Sequence, residues 1–194
     1  MNYLKNTLAK YLDELASSSM APGGGSAAAL TAAIGTALLE MVVQINDKRQ
    51  KTRSKERLEI IKRFRAHASN LVTLDAETFS KLSKIFLKQK KDSRVYQKAL
   101  LEGARTPLRI CELSVRALEF ALDEKDRTSL WLASDLEEAG VLLEASFYAG
   151  RLNVEINLKD VADKKFTTKT NIYLKSLERK VAGYRKKLRE VRKK

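Results

Sequence analysis

The sequence predicts an all-α protein, an antiparallel bundle of about six or seven helices. Three observations lead there. The 194 residues include only 8 Gly and 2 Pro, too few turn signals for an all-β sandwich or barrel. Punctuation falls at few places, so the segments between are long, and they carry apolar residues at helical spacing. Hydrophobic residues make up 44% and charged residues 32%, the balance of a folded chain with a core of its own. At this length one domain is expected over 1–194, ending in a basic helix and tail at about 170–194.

The elements follow in order. A first amphipathic helix is predicted from about Tyr3 to Ser17, with Leu4, Leu8, Leu12 and Leu15 at helical spacing. Pro22-Gly23-Gly24-Gly25 breaks it, and Ser26 is placed to cap a second helix from Ala27 to about Asn46. That helix is apolar nearly all round, which means burial on several sides. Its most apolar stretch, Ala27 to Leu39, is too short and alanine-rich to span a bilayer. A third helix runs from about Ser54 to Lys88 and a fourth from Ser93 to Arg105. Thr106-Pro107 reads as a cap and first turn opening a fifth, to Leu122. Asp123 to Thr128 is a polar turn, and Ser129 to Gly150 another helix. Asn153 to Asn157 reads as short and irregular, with capping enough to explain its asparagines. A helical turn at Asp160 to Phe166 precedes a long basic helix from Thr170.

Composition narrows the chemistry. One cysteine, Cys111, excludes an internal disulfide and a cysteine zinc site. One histidine, His67, argues against a histidine metal site or a Ser-His-Asp triad. Cys111 is expected in the core, and His67 at the surface or an edge. Lys+Arg 38 against Asp+Glu 24 gives +14, concentrated at Asp47 to Arg65 (+6) and Lys164 to Lys194 (+11), while Cys111 to Glu144 carries −6. Such a balance fits a solvated helix face, an anionic small ligand or nucleic acid. No nucleic-acid-binding fingerprint is present, so a basic binding protein acting through Lys164 to Lys194 is the alternative to an enzyme. Met1 to Ala21 has no apolar signal region, which leads to the expectation of a cytoplasmic, non-membrane protein.

Three groups of residues could carry chemistry. The stripe of the third helix contains one anomaly: Asp75 lies between Leu71 and Phe79 on the core-facing side. Burial raises the pKa of a carboxyl and suits it to acid–base work near neutrality, although a structural ion pair would also place an acid there. Gly23, Gly24 and Gly25 are more glycines than a chain break needs, so with Ser26 they could let a ligand approach a helix N-terminus, or let two helices pack closely. The turn matches neither common nucleotide-loop pattern. The third group is Asp135, beside Ser134, with Asn153 and Asn157.

Taken in order, these segments resemble the formiminotetrahydrofolate cyclodeaminase and methenyltetrahydrofolate cyclohydrolase family. The resemblance rests on Ala21-Pro22-Gly23-Gly24-Gly25-Ser26 with its alanine-rich helix, and on Asp75-Ala76-Glu77-Thr78-Phe79. It continues through Thr106-Pro107-Leu108 and Ser134-Asp135-Leu136 to Asn153-Val154-Glu155-Ile156-Asn157-Leu158, covering roughly Leu15 to Phe166. It implies an all-helical subunit that forms a homodimer, with folate bound near the subunit contact. It implies closure of 5-formiminotetrahydrofolate to the 5,10-methenyl form with loss of ammonia, or hydrolysis of the methenyl form to 10-formyltetrahydrofolate. A tetrahydrofolate derivative is then the substrate, with no tightly bound cofactor and no metal. Asp75 falls on the family's acid/base aspartate. Gly23, Gly24, Gly25, Ser26, Asp135, Asn153 and Asn157 would shape the substrate site. One departure stands out: Thr73 occupies a position where an acid is common in the family. Folate glutamate carboxylates also give the basic segments a possible partner.

Overall fold

The computed structural model describes residues 3–51 and 55–190. After a 3-10 turn at Tyr3–Lys5 come α1 (Leu8–Ala16), α2 (Gly24–Arg49), α3 (Lys55–Lys88) and α4 (Arg94–Asp123). Two 3-10 turns, Lys125–Arg127 and Leu130–Leu132, lead to α5 (Ala133–Leu158) and α6 (Lys164–Leu188). Among the described residues all regular structure is helical.

Helices α2 to α5 form an up-down-up-down bundle. Ser26 meets Val72 and Glu40 meets Arg65, so α2 and α3 are antiparallel. Gly103 sits beside Leu82 of α3 and Asn157 of α5, while Arg57 meets Glu124 and Ser114 meets Ser146. Ser146 donates to the Ala28 carbonyl and Gly24 faces Asn153, which closes the ring between α5 and α2. Leu39, Ile61, Leu71, Ile110, Leu118, Leu143 and Phe147 fill the centre. Small residues let the backbones approach: Ala28, Ala29 and Ala32 are fully buried, and a Cβ at Gly35 would already touch Leu143 at 3.1 Å. Helix α6 buries Leu174, Leu177, Val181 and Leu188. The buried Arg185 anchors it, reaching the Glu144 carboxylate at 2.9 Å and the Glu137 carbonyl at 3.3 Å over Gly140.

Several boundaries differ from the sequence expectation for identifiable reasons. Thr106-Pro107 does not open a helix; it lies inside α4. A proline ring crowds the carbonyl four residues back, which here belongs to Gly103, and burial of Thr106 and Pro107 on α5 holds the helix together. Asn153 to Asn157 is helical rather than irregular. Asn153 donates to the Ala149 carbonyl at 2.8 Å, and Asn157 to the Asn153 carbonyl at 2.7 Å. The asparagines therefore bond back into their own helix instead of ending it. Helix α2 begins at Gly24 with Gly23 as its N-cap, so Ser26 is an interior residue of the first turn. Asp163 caps α6, which starts at Lys164. The stripe expected to bury α1 is partly outward: Leu8 and Leu12 are exposed, and Tyr11 is buried instead. The side chain of Leu4, together with Ser54 and residues 191–194, lies outside the described residues.

At 26 residues, α2 is also longer than expected, with a mean hydropathy of 1.7 over its most apolar 18-residue window. By length and composition it could cross a bilayer, but 61% of that window is buried against the other helices. It is the central helix of the bundle, as the all-round apolar pattern predicts.

The polar turn after α4 hides a fully buried carboxylate, Glu124. The Arg57 guanidinium and the Asn46 amide donate to it, and Arg127 lies at 3.5 Å. This network clamps the bundle end where α2 and α4 finish. On α6, Lys165, Lys169, Arg179, Lys180, Lys186 and Lys187 are exposed. Its acid Glu178 is drawn to Arg151 at 2.5 Å, and Glu190, just past its end, to Lys125 at 3.2 Å.

Candidate active site

The opposite end of the bundle is built around the first turn of α2. A helix N-terminus leaves backbone N–H groups without intrahelical acceptors and carries partial positive charge. Ala27 N–H reaches back to the Gly23 carbonyl at 3.0 Å. The Ser26 N–H is turned to the Asp75 carboxylate. Asp75 sits so close that a Cβ at Gly25 would lie 2.5 Å from its Cγ and Oδ2. Gly25 is thus the absence of a side chain that makes room for the carboxylate. Its φ is not positive, so space and not backbone freedom requires glycine here.

The other glycines of the turn do different things. A Cβ at Gly24 would rest 3.4 Å from Asn153 Oδ1, while one at Gly23 would meet nothing within 4 Å. Asp75, the N-terminal turn of α2 and Asn153 therefore share one site, contributed by three helices. Beyond this level α3 continues to Lys88, roughly 20 Å past Asp75 at 1.5 Å per residue. Phe79, one turn further along the Asp75 face, is 40% exposed. Asp75 thus stands against the N-terminus of α2, with Asn153 beside it and Phe79 one turn beyond.

Burial raises the Asp75 pKa from 3.8 to about 6, and the Ser26 N–H bond partly opposes that rise. The group is poised to hold or release a proton near neutrality, as an acid–base residue must. A stability signature follows. The folded state binds this proton more tightly than the unfolded chain, so its contribution is complete below about pH 3.8 and is lost as pH rises through about 6. We therefore expect Asp75→Asn to melt higher than the wild type at neutral pH, by roughly 2–4 °C for each kcal/mol recovered. The two proteins should converge in acid. Thermal melts against pH check this, and equal melting points at neutral pH would contradict it.

The remaining predicted residues are placed unevenly. Asn157 lies one turn beyond Asn153, with its Oδ1 2.9 Å from where a Cβ at Gly103 would be; it faces α4. Asp135 is not brought to this site within the chain. It lies in the first turn of α5, and 18 residues of helix at 1.5 Å each separate it from Asn153 by about 27 Å. The sequence motif contains it, but helical geometry sends it to the far pole. Thr73 accepts a hydrogen bond from the Tyr3 N–H at 3.3 Å. Residues two apart on a helix point about 200° from each other, so a side chain at 73 does not face Asp75. Cys111 is fully buried, with its thiol pushed up to about 12 by burial, and is a core residue. His67 is exposed at the surface.

Sequence reasoning overlooked Tyr11 and Gly103. Tyr11 lies at the edge of the same stripe, beside Leu15, where the leucines drew attention away from it. Gly103 had a usable signal: a lone glycine inside a helix costs about 1 kcal/mol relative to alanine, which marks a close approach. Among the described residues no cluster of three or more His, Cys, Asp or Glu is placed to hold a metal ion.

Comparison with known proteins gives a consistent result. Residues 7–176 match the profile of the formiminotransferase-cyclodeaminase family. A formimidoyltransferase-cyclodeaminase from Mus musculus is 34% identical over 187 residues, covering 90% of this chain and 34% of the mouse protein. The Sus scrofa protein of the same name is 35% identical over 190 residues. A methenyltetrahydrofolate cyclohydrolase from Methylorubrum extorquens is 29% identical, covering 89% of this chain and 87% of that protein. The chain thus spans about a third of the length of the formimidoyltransferase-cyclodeaminases it matches. In fold it superposes on a crystal structure of formiminotetrahydrofolate cyclodeaminase from Thermotoga maritima with a TM-score of 0.89 at 24% identity, covering 98% of this chain and 97% of that one.

Proposed function

Because the chain belongs to the formiminotransferase-cyclodeaminase family, we propose that it is a folate one-carbon enzyme in which Asp75 moves the proton. The observation that carries this reading is the Asp75 carboxyl seated against the N-terminus of α2, with a pKa of about 6. In the hydrolytic direction, a water oxygen bonds to the methenyl carbon and Asp75 accepts a proton from that water. The bond from that carbon to N5 then breaks as the remaining hydroxyl proton passes to N5, which leaves the formyl group on N10, and the proton held by Asp75 is released to solvent. In the cyclodeaminase direction, N10 attacks the carbon of the protonated formimino group, the carbon–nitrogen bond to the resulting amine breaks as the N5 lone pair completes the methenyl cation, and ammonia leaves. Asp75 relays the N10 proton to that amine. Both directions need one group able to take and return a proton near neutral pH, and the substrate brings its own activated carbon.

Gly23 and Gly24 would let the substrate come close to the backbone, and Asn153 would offer its amide beside them. Ser26 and Gly25 act on Asp75 rather than on the substrate. Asn157 supports the site from the α4 side. A contact from Asp135 of the same chain forms no part of this reading. The test is absorbance at the methenyl band with purified protein, supplied in turn with methenyl- and formiminotetrahydrofolate. Turnover of either substrate supports the reading, and turnover of neither removes it.

The same reading includes a homodimer. Leu30, Ile34, Leu38 and Met41 recur on one face of α2, and Val141, Leu152 and Ile156 on one face of α5, with Leu142 against Gly35; Ile34, Leu152 and Ile156 are at least half exposed. An apolar face shared by two adjacent helices suits a second copy of itself. Ile34→Asp should shift the protein from dimer to monomer in light scattering. A wild-type protein that is already monomeric at micromolar concentration would overturn this assembly.

A further inference from the structure

We infer that Tyr11 is a positioning residue of this site, acting through Ser26 to hold the first turn of α2 against Asp75. The inference deepens the Asp75 reading and rests on it.

Proton counting fixes the direction of each bond at Ser26. The Ser26 hydroxyl is fully buried and has one proton, which it donates to the Val72 carbonyl at 2.9 Å. A carbonyl can only accept, so that proton is committed. The Tyr11 hydroxyl lies 3.1 Å from the same Ser26 oxygen. It must therefore be the donor in that pair, as a neutral phenol can be, and burial raises its pKa. One serine oxygen thus joins α1, α2 and α3. The Ser26 backbone N–H, on the same residue, is the group that meets Asp75.

Tyr11 is itself held firmly. It is 3% exposed, and Tyr3 packs edge-on against it at 5.7 Å between ring centroids. Tyr3 is pinned by its N–H to Thr73 Oγ1, two residues before Asp75. Helix α1 buries little else, since Leu8 and Leu12 face solvent. Besides the partly buried Leu15, its docking rests on Tyr11 and on Tyr3 of the preceding turn. Around Asp75, the first turn of α2 has no charged side chain, α5 offers the neutral Asn153, and α1 offers Tyr11, which feels the Asp75 charge.

The test is Tyr11→Phe, which keeps the ring and removes the hydroxyl. Loss of one buried hydrogen bond that holds the N–H in place should lower kcat about fivefold to tenfold with KM nearly unchanged. The limb of the pH–rate profile governed by Asp75 should move to higher pH, because a loosened N–H no longer favours the carboxylate. The double variant Tyr11→Phe with Ser26→Ala should lose little more than either single variant. A carboxyl-carbon NMR titration of Asp75 in wild type and Tyr11→Phe gives the same comparison without substrate. If neither the pH limb nor the NMR titration moves, Tyr11 is only a packing residue and the inference fails, even if the variant melts lower. If the wild type turns over neither folate but the NMR titration still shifts, the positioning stands and the folate reading is what fails.

Discussion

Asp75→Asn is expected to reduce turnover of methenyl- or formiminotetrahydrofolate by about 10²–10⁴-fold while the helical fold remains intact. Asparagine is isosteric with the carboxyl and can still accept the Ser26 N–H bond, but it cannot take or return a proton. The position is buried enough to lift its pKa to about 6, so the neutral amide also removes an unfavourable buried charge at pH 7. Activity and stability should therefore move in opposite directions: a dead enzyme that melts higher. A folded Asp75→Asn protein with wild-type turnover would remove Asp75 from the chemistry.

Gly25→Ala is expected to be nearly as damaging, through a different cause. The new methyl would lie 2.5 Å from Asp75 Cγ and Oδ2, closer than non-bonded carbon and oxygen atoms can stand. Either the carboxylate swings away from the Ser26 N–H or the first turn of α2 shifts, and overpacking of this kind costs typically 1–3 kcal/mol. The carboxyl is then no longer held against the N-terminus of α2. We expect turnover to fall by about the factor lost in Asp75→Asn, with a lower melting temperature instead of a higher one. Gly23→Ala, whose Cβ would meet nothing within 4 Å, should change stability by less than about 0.5 kcal/mol. Melting curves for the pair decide the matter, and equal destabilisation at the two glycines would contradict the steric account.

How much of this was legible beforehand depends on whether a feature is local. The periodicity of α3 alone placed Asp75 on a core-facing stripe, because helical phase is a property of nearby residues. The excess of glycines marked the turn for the same reason. Their division of labour was not readable, since the role of Gly25 is set by a carboxylate fifty residues later in the chain. Thr106-Pro107 misled because its local preference for a helix start was overridden by burial against α5 and by Gly103 beneath the ring. Asn153 and Asn157 misled because asparagine side chains can end a helix or bond back into it, and the choice is made by packing. Asp135 shows the limit of ordered motifs. Being next in sequence order says nothing about which pole of a bundle a residue reaches. Tyr11 needed the third dimension altogether, because its partner Ser26 lies beyond the turn that ends its own helix.

The outward side of α6 has a consequence for how copies of this protein meet. Its exposed cations form a half-cylinder of one sign, because Glu178 and Glu190 are drawn away to Arg151 and Lys125. Two molecules approaching through that side repel each other at low ionic strength, and the repulsion fades within about 10 Å at 0.1 M salt. The apolar surface of α2 and α5 carries no such barrier. The charge on α6 therefore disfavours encounters through that side of the molecule more than through the others. If the chain assembles through α2 and α5 as proposed, this charge contributes no contact to that assembly and acts only on the approach.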